Sequence, residues 1–181
     1  MKSFLLRISI IFLIILVQIN FLDLILLENN LINLSILTLI SWIIISGFDK
    51  MWLWIVLLGF FNDIFLIEKI GSNVLFFTLF AYLISFISKR FMIERRWSGF
   101  LLVVIFILMG NFMGSIFNSL FFDLSSFKEI LIHNTINYFT NWVSLVWTTI
   151  ISAICFYIIY TFINKIEKYI ERSENRLKIS F

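Results

Sequence analysis

The chain has 181 residues, of which 61% are hydrophobic and only 14% are charged, and its formal net charge is +3. A soluble domain is nearer about 45–50% apolar and about 25% charged, so these values exclude a water-soluble globule, a nucleic-acid binder and a disordered chain. Six helices of about 20 apolar residues each would use this supply of hydrophobic side chains. The composition therefore predicts an all-α polytopic membrane protein with six transmembrane helices.

The first two apolar runs lie close together. The first covers about Phe4–Leu22 and contains Arg7. It is long, has no small-x-small cleavage site and is followed at once by more hydrophobic sequence, so we expect a retained helix and not a signal peptide. After Glu28-Asn29-Asn30, the second run covers about Leu31–Ser46.

Four more apolar runs follow, and one less apolar stretch separates the last two of them. These four runs predict helices over about Met51–Ile67, Ser72–Ile87, Gly99–Phe117 and Asn141–Ile163. The less apolar stretch at 118–140 predicts a long loop or an interfacial helix.

The basic residues indicate the orientation of these helices. With the N-terminus inside, all but two of the 14 lysine and arginine residues fall on the cytoplasmic side, and the exceptions are Lys69 and Lys128. The positive-inside rule then predicts a multi-pass membrane protein with both termini in the cytoplasm.

The end of the chain differs in composition from the rest. Residues 1–163 predict the transmembrane domain, and residues 164–181 predict a basic amphipathic tail. Such a tail either rests on anionic lipid at the cytoplasmic face or docks a cytoplasmic partner. Because we expect the interior of the bundle to lie upstream, removal of the chain after Ile166 should leave the bundle folded.

Asp63 is a charged residue deep in the third run, roughly 18 Å from its start by helical rise. With Asn62 beside it, the functional interpretation is an ion or proton relay or a ligand-binding group. The structural interpretation is an irregular helix end at which Asp63 accepts backbone hydrogen bonds. A relay needs a second buried titratable group, and no other helix interior offers one, which favours the structural interpretation. On that interpretation, Asp63→Asn keeps the shape and an acceptor and should be tolerated.

Few other residues suggest chemistry. Gly110 and Gly114 form a Gly-x-x-x-Gly motif in the fifth helix, which serves either packing within the bundle or contact with a partner. The single Cys155 and the single His133 cannot form a disulfide or a His-Cys metal cage. No catalytic set, phosphate loop or metal motif is present in the sequence, so we expect neither an enzyme nor a cofactor.

The third and fourth helices carry a spaced motif. Gly59-Phe60-Phe61-Asn62-Asp63 is followed after eight residues by Gly71, and after eleven more by Tyr82 in Ala81-Tyr82-Leu83. This pattern resembles that of the rod shape-determining protein MreD family. Trp42 fits an aromatic residue of the family's second helix, and Asn141 resembles its asparagine at the start of the last helix. Family members commonly carry prolines in the second and last helices, and this chain has none.

The resemblance implies a non-enzymatic scaffold of the bacterial cell elongation machinery. Such proteins bind the bitopic protein MreC and help link MreB filaments to peptidoglycan synthases, which maintains rod shape. Their fold is similar to that of the substrate-binding subunits of energy-coupling-factor transporters, so the alternative is a vitamin-binding transporter subunit. Those subunits dock through an Ala-x-x-x-Ala motif in the first helix, whereas the first apolar run here contains no alanine.

Overall fold

A computed structural model describes residues 2–22, 33–65, 71–91, 97–122 and 142–179. Every regular element in these ranges is helical, which confirms the all-α class for the described part of the chain. The helices are α1 (Lys2–Val17), continued by a π-helical turn (Gln18–Leu22), then α2 (Leu34–Ser46), α3 (Phe48–Phe65), α4 (Ser72–Phe91), α5 (Trp97–Phe122) and α6 (Trp142–Ile179).

Several helix limits differ from the expected ones, and three of them affect the description of the bundle. The helix α3 begins at Phe48, three residues early, because a single residue reverses the chain after α2. That residue, Gly47, has a φ of +78°, and its N–H donates to the carbonyl of Ile43 at 2.9 Å. The helix α5 extends to Phe122. The helix α6 is continuous across the expected boundary at 163–164, and the division into two domains there stays a prediction.

The helix α2 is the centre of the bundle. It contacts each of the other five helices, and all ten residues from Leu34 to Ile43 are buried. A helix that is buried on every side has no polar face. Two of its hydroxyl groups are accommodated within the helix, because Thr38 and Ser41 each donate to the carbonyl four residues earlier at 2.8 Å.

One end of the bundle collects the positive charges, and we call it the basic end. Here the ring of Phe4 in α1 lies 5.1 Å from that of Trp54 in α3, and Lys89 of α4 lies 3.4 Å from Asp49 of α3. The exposed basic residues at this end are Lys50, Lys89, Arg90, Lys165, Lys168 and Arg172.

The opposite end, which we call the polar end, joins the π-helical turn, the start of α2, the end of α3 and the start of α4. Its buried polar residues are Gln18, Ser35, Asn62, Asp63, Ser72 and Asn73. Asn33 caps α2 at this end, since its side chain accepts a hydrogen bond from the N–H of Ile36 at 3.1 Å. Successive helices therefore run in opposite directions between the two ends.

Two of the described helices are long and apolar enough to cross a membrane, over Ser72–Arg90 and Val146–Ser173. Shorter apolar helices cover Phe4–Asn20, Leu34–Ser46 and Leu101–Gly114. This result is consistent with a membrane protein, while the number of six spans stays a prediction.

Candidate functional site

Asp63 lies in the last turn of α3 and is 1% exposed. Its Oδ2 accepts a hydrogen bond from the N–H of Gly71 at 2.7 Å, and its Oδ1 accepts one from the N–H of Asn73 at 2.9 Å. Gly71 directly precedes α4 and Asn73 lies in its first turn, where backbone donors lack partners within the helix and the helix dipole favours negative charge. Asp63 thus caps the next helix, which confirms that it accepts backbone hydrogen bonds.

Two glycines allow this contact. A Cβ atom added at Gly59, one turn before Asp63, would lie 2.7 Å from the Cα of Val74, so the backbones of α3 and α4 touch there. Gly71 has a φ of +99°, a conformation that residues with a side chain rarely adopt. The spacing of Gly59, Asp63 and Gly71 therefore describes one structural unit, which we call the α3–α4 corner.

A second group of buried polar side chains joins three helices beside this corner. The Ser35 hydroxyl of α2 lies 3.0 Å from Oδ1 of Asn62 in α3 and 3.3 Å from Oε1 of Gln18 in the π-helical turn. A hydroxyl has one hydrogen, so Ser35 donates to one of these oxygens at a time. Gln18 lies in the π-helical turn, a geometry that is frequent at functional sites.

Some buried polar atoms have no hydrogen-bond partner within the part of the chain that the structure describes. They are the side-chain nitrogens Nδ2 of Asn62 and Nε1 of Trp42, and the Oγ of Ser152. A buried donor without a partner costs about 1–3 kcal/mol. Single water molecules are the usual partners of such atoms.

The strongest electrostatic contact of the described residues joins α1 to α6 at the basic end. Nε of Arg7 donates to Oε1 of Glu167 at 3.0 Å, and Nη2 donates to Oε2 at 2.7 Å. The guanidinium also lies over the ring of Trp54, 5.5 Å from its centroid. The Glu167 side chain is 3% exposed and that of Arg7 is 16% exposed. This bidentate pair fixes the first helix to the last one.

This pair is not among the sequence predictions, although a signal for it is present. Arg7 lies inside an apolar run and therefore needs a counter-charge, and of the tail glutamates Glu167 lies on the same helical face as Ile163 and Ile170. Ile163 and Ile170 are 0% and 1% exposed. The expectation that the interior lies upstream of a cut after Ile166 is wrong, because Glu167 and Ile170 are buried.

The glycines of α5 pack within the bundle. A Cβ atom at Gly110 would lie 2.8 Å from Cγ2 of Ile36 and 2.9 Å from Cε1 of Phe80, so α2 and α4 approach α5 closely there. At Gly114 the nearest atom, from Phe76, would be 3.4 Å away. Of the two alternatives for this motif, packing within the bundle is observed.

The other predicted positions lie away from the α3–α4 corner. Tyr82 is 62% exposed on the outer face of α4, where its ring meets the edge of Phe48 at 5.9 Å. Trp42 is fully buried in α2, and Cys155 is a partly exposed free thiol. Asn141 and the stretch that contains His133 lie outside the described residues.

The chemistry available at Asp63 and Glu167 is limited by the hydrogen bonds that their carboxylates already accept. Both oxygens of Asp63 and both oxygens of Glu167 accept hydrogen bonds from the protein itself. Within the described ranges, no three His, Cys, Asp or Glu residues come together in a way that could hold a metal ion. The buried charges are therefore placed to join helices.

Comparison of the chain with family models, curated proteins and solved structures gives no match. The similarity to the MreD family thus rests on the motif spacing, and it stays a prediction.

Proposed function

We propose that the chain is a six-span protein of the bacterial cytoplasmic membrane. The supporting observation is the distribution of its side chains. Polar side chains are buried, while large apolar side chains face outward on five helices. On α4, for example, the apolar outer face has side chains that are each more than half exposed: Leu75, Leu79, Tyr82 and Phe86. Lipid is the environment in which such an exterior is favourable, and polar residues of membrane helices face the interior.

We infer the orientation from the two ends of the bundle. The basic end would face the cytoplasm by the positive-inside rule, which puts both termini there. Lys165, Lys168 and Arg172 are exposed on the last helix at this end. They are positioned to contact anionic lipid, each contributing about 1 kcal/mol near a charged surface.

We further propose that the protein is a scaffold that holds partners and does not transport or convert a substrate. The observation that carries this proposal is the use of its buried charges, since Asp63 caps α4 and Arg7 pairs with Glu167. A proton or ion relay needs a buried group that can change its partner during a cycle. Asp63 and Glu167 are each held by two hydrogen bonds, which favours a fixed framework over a relay.

The proposed partners follow from the resemblance to the MreD family. They are an MreC-like bitopic membrane protein and, directly or through it, MreB filaments and peptidoglycan synthases. The α3–α4 corner supports this similarity. The three residues with matched spacing, Gly59, Asp63 and Gly71, belong to one structural unit and do not lie at unrelated places in the fold.

Cysteine accessibility tests the topology. In a Cys155→Ser background, a cysteine at position 168 should be labelled by a membrane-impermeant maleimide only after the cell is opened. A cysteine at position 29 should be labelled in intact cells. Labelling of position 168 from outside would refute the proposed orientation.

Depletion and co-purification test the function. Depletion in the native bacterium should turn rod-shaped cells round, and the protein purified from membranes should carry a bitopic partner identified by mass spectrometry. Normal cell width after depletion, together with tight binding of a vitamin to the purified protein, would instead favour the transporter-subunit alternative.

A further inference from the structure

The apolar outer face of α4 ends in two cations at the basic end of the bundle. Its large exposed side chains recur every three or four residues, so they form one row along the helix. They are Leu75, Leu79, Tyr82 and Phe86. We call this row the α4 strip. Lys89 and Arg90 follow Phe86 by three and four residues, which continues the row, and both are exposed. An apolar surface thus leads directly to a pair of positive charges.

The α4 strip is about as long as one leaflet of a bilayer is thick. Its helix is one of the two described helices that are long and apolar enough to cross a membrane. The distance along the helix axis from Leu75 to Phe86 is roughly 16 Å at 1.5 Å per residue. One leaflet of hydrocarbon is about 15 Å thick. In the proposed membrane location, the strip lies beside the acyl chains of one leaflet, and Lys89 and Arg90 lie level with its headgroups.

The charges at the end of the strip are not balanced among the described residues. Nζ of Lys89 lies 3.4 Å from Oδ2 of Asp49, whereas Arg90 has no ion-pair partner in the described ranges. Two cations and one carboxylate leave one positive charge. A phosphodiester carries one negative charge, and a guanidinium can donate to two of its oxygens at once.

We propose that the α4 strip, with Lys89 and Arg90, is a binding site for an anionic phospholipid. The phosphate lies between the two cations, and an acyl chain lies along the strip. Charge selects the headgroup, because phosphatidylglycerol brings a phosphate alone, whereas phosphatidylcholine brings a quaternary ammonium that the cations repel. This site is separate from the exposed cations of α6. The inference rests on the proposed membrane location, since an acyl chain covers the strip only in a bilayer.

Photo-crosslinking from within the strip tests the site. The full-length protein, with a benzophenone amino acid in place of Phe86, is reconstituted into vesicles of equal parts phosphatidylglycerol and phosphatidylcholine with identical acyl chains. After irradiation, mass spectrometry counts the adducts of each lipid. Phosphatidylglycerol adducts should outnumber phosphatidylcholine adducts by about fivefold, which corresponds to about 1 kcal/mol for one unbalanced cation near a charged surface.

Removal of the cations tests the role of charge. The double variant Lys89→Gln and Arg90→Gln should capture the two lipids about equally, whereas Arg90→Lys keeps the charge and should keep the preference. The matched control is Lys50→Gln, which removes an exposed cation from the same end of the bundle. Lys50 precedes Gly59 by nine residues, two and a half turns, and Gly59 touches α4, so Lys50 lies on the opposite side of α3. This control should retain the fivefold preference.

The possible failures are distinguishable. Equal capture of both lipids by the parent would overturn the site alone. A preference that survives in the double variant, or that Lys50→Gln abolishes as completely, would overturn it in favour of a general attraction to the basic end. Capture of a protein in place of lipid in native membranes would assign the strip to a protein partner and also overturn the site. A protein that alkaline carbonate extracts from the vesicles would overturn the proposed membrane location as well.

Discussion

Removing the charge of Asp63 should destabilise the protein even when its shape is kept. Both carboxylate oxygens accept backbone hydrogen bonds, from Gly71 and Asn73. An asparagine has only one carbonyl oxygen, so its NH₂ group would face the second N–H and two donors would meet. The tolerance of Asp63→Asn that the sequence suggested is therefore not expected from this geometry.

The magnitude follows from the number of hydrogen bonds lost. A hydrogen bond to a charged group contributes about 1.5–3 kcal/mol, so Asp63→Asn should lower the free energy of unfolding by about that amount. Asp63→Leu strands both N–H groups and should cost about 3–5 kcal/mol. The N–H of Asn73 is buried whereas Gly71 is partly exposed, so the asparagine oxygen should face Asn73.

The assay is equilibrium unfolding of the full-length protein in mixed micelles with increasing sodium dodecyl sulfate, followed by far-ultraviolet circular dichroism. The matched control is Asp49→Asn, because Asp49 also lies at a helix terminus but its side chain is 84% exposed. This control should cost less than about 1 kcal/mol. Equal stability of Asp63→Asn and Asp49→Asn would refute the reasoning.

Three further predictions concern the packing of the bundle and use the same unfolding assay. Glu167→Gln breaks a buried ion pair and should cost about 3–5 kcal/mol, whereas the exposed Glu171→Gln should be nearly neutral. A chain that ends at Ile166 should unfold more readily than the full chain, because it lacks the buried glutamate; unchanged stability would show that the tail contributes nothing to the interior. Gly59→Ala should cost about 1–3 kcal/mol by forcing two backbones apart, while Gly114→Ala, whose nearest neighbour would be 3.4 Å from the new Cβ atom, should be tolerated.

The helix positions could be predicted because glycines and charged clusters separate the apolar runs. The turn at Gly47 and the start of α4 after Gly71 are examples. The helix at the centre could not be predicted in the same way. In soluble proteins a period of 3.6 residues distinguishes the buried face, but here both faces are apolar. The small polar residues Ser35, Thr38 and Ser41 in α2 are the features that mark an interior helix.

The contacts of the candidate site could be predicted only where the sequence distance is short. The capping of α4 by Asp63 spans eight and ten residues, and an acidic residue near a helix start is a recognisable pattern. The pairing of Arg7 with Glu167 spans 160 residues. Such a contact depends on how the first and last helices pack, and the local sequence does not determine that packing.

The central position of α2 affects how the protein is made. This helix precedes α6 in the chain, and its most extensive contact among the described helices is with α6. If the proposed membrane location is correct, α2 must stay beside the insertion machinery or in contact with lipid until α6 has been synthesised. Chains that lack α6 leave exposed the side of α2 that α6 covers in the bundle. The burial of α2 is accordingly a late event, completed only after α6 has been synthesised.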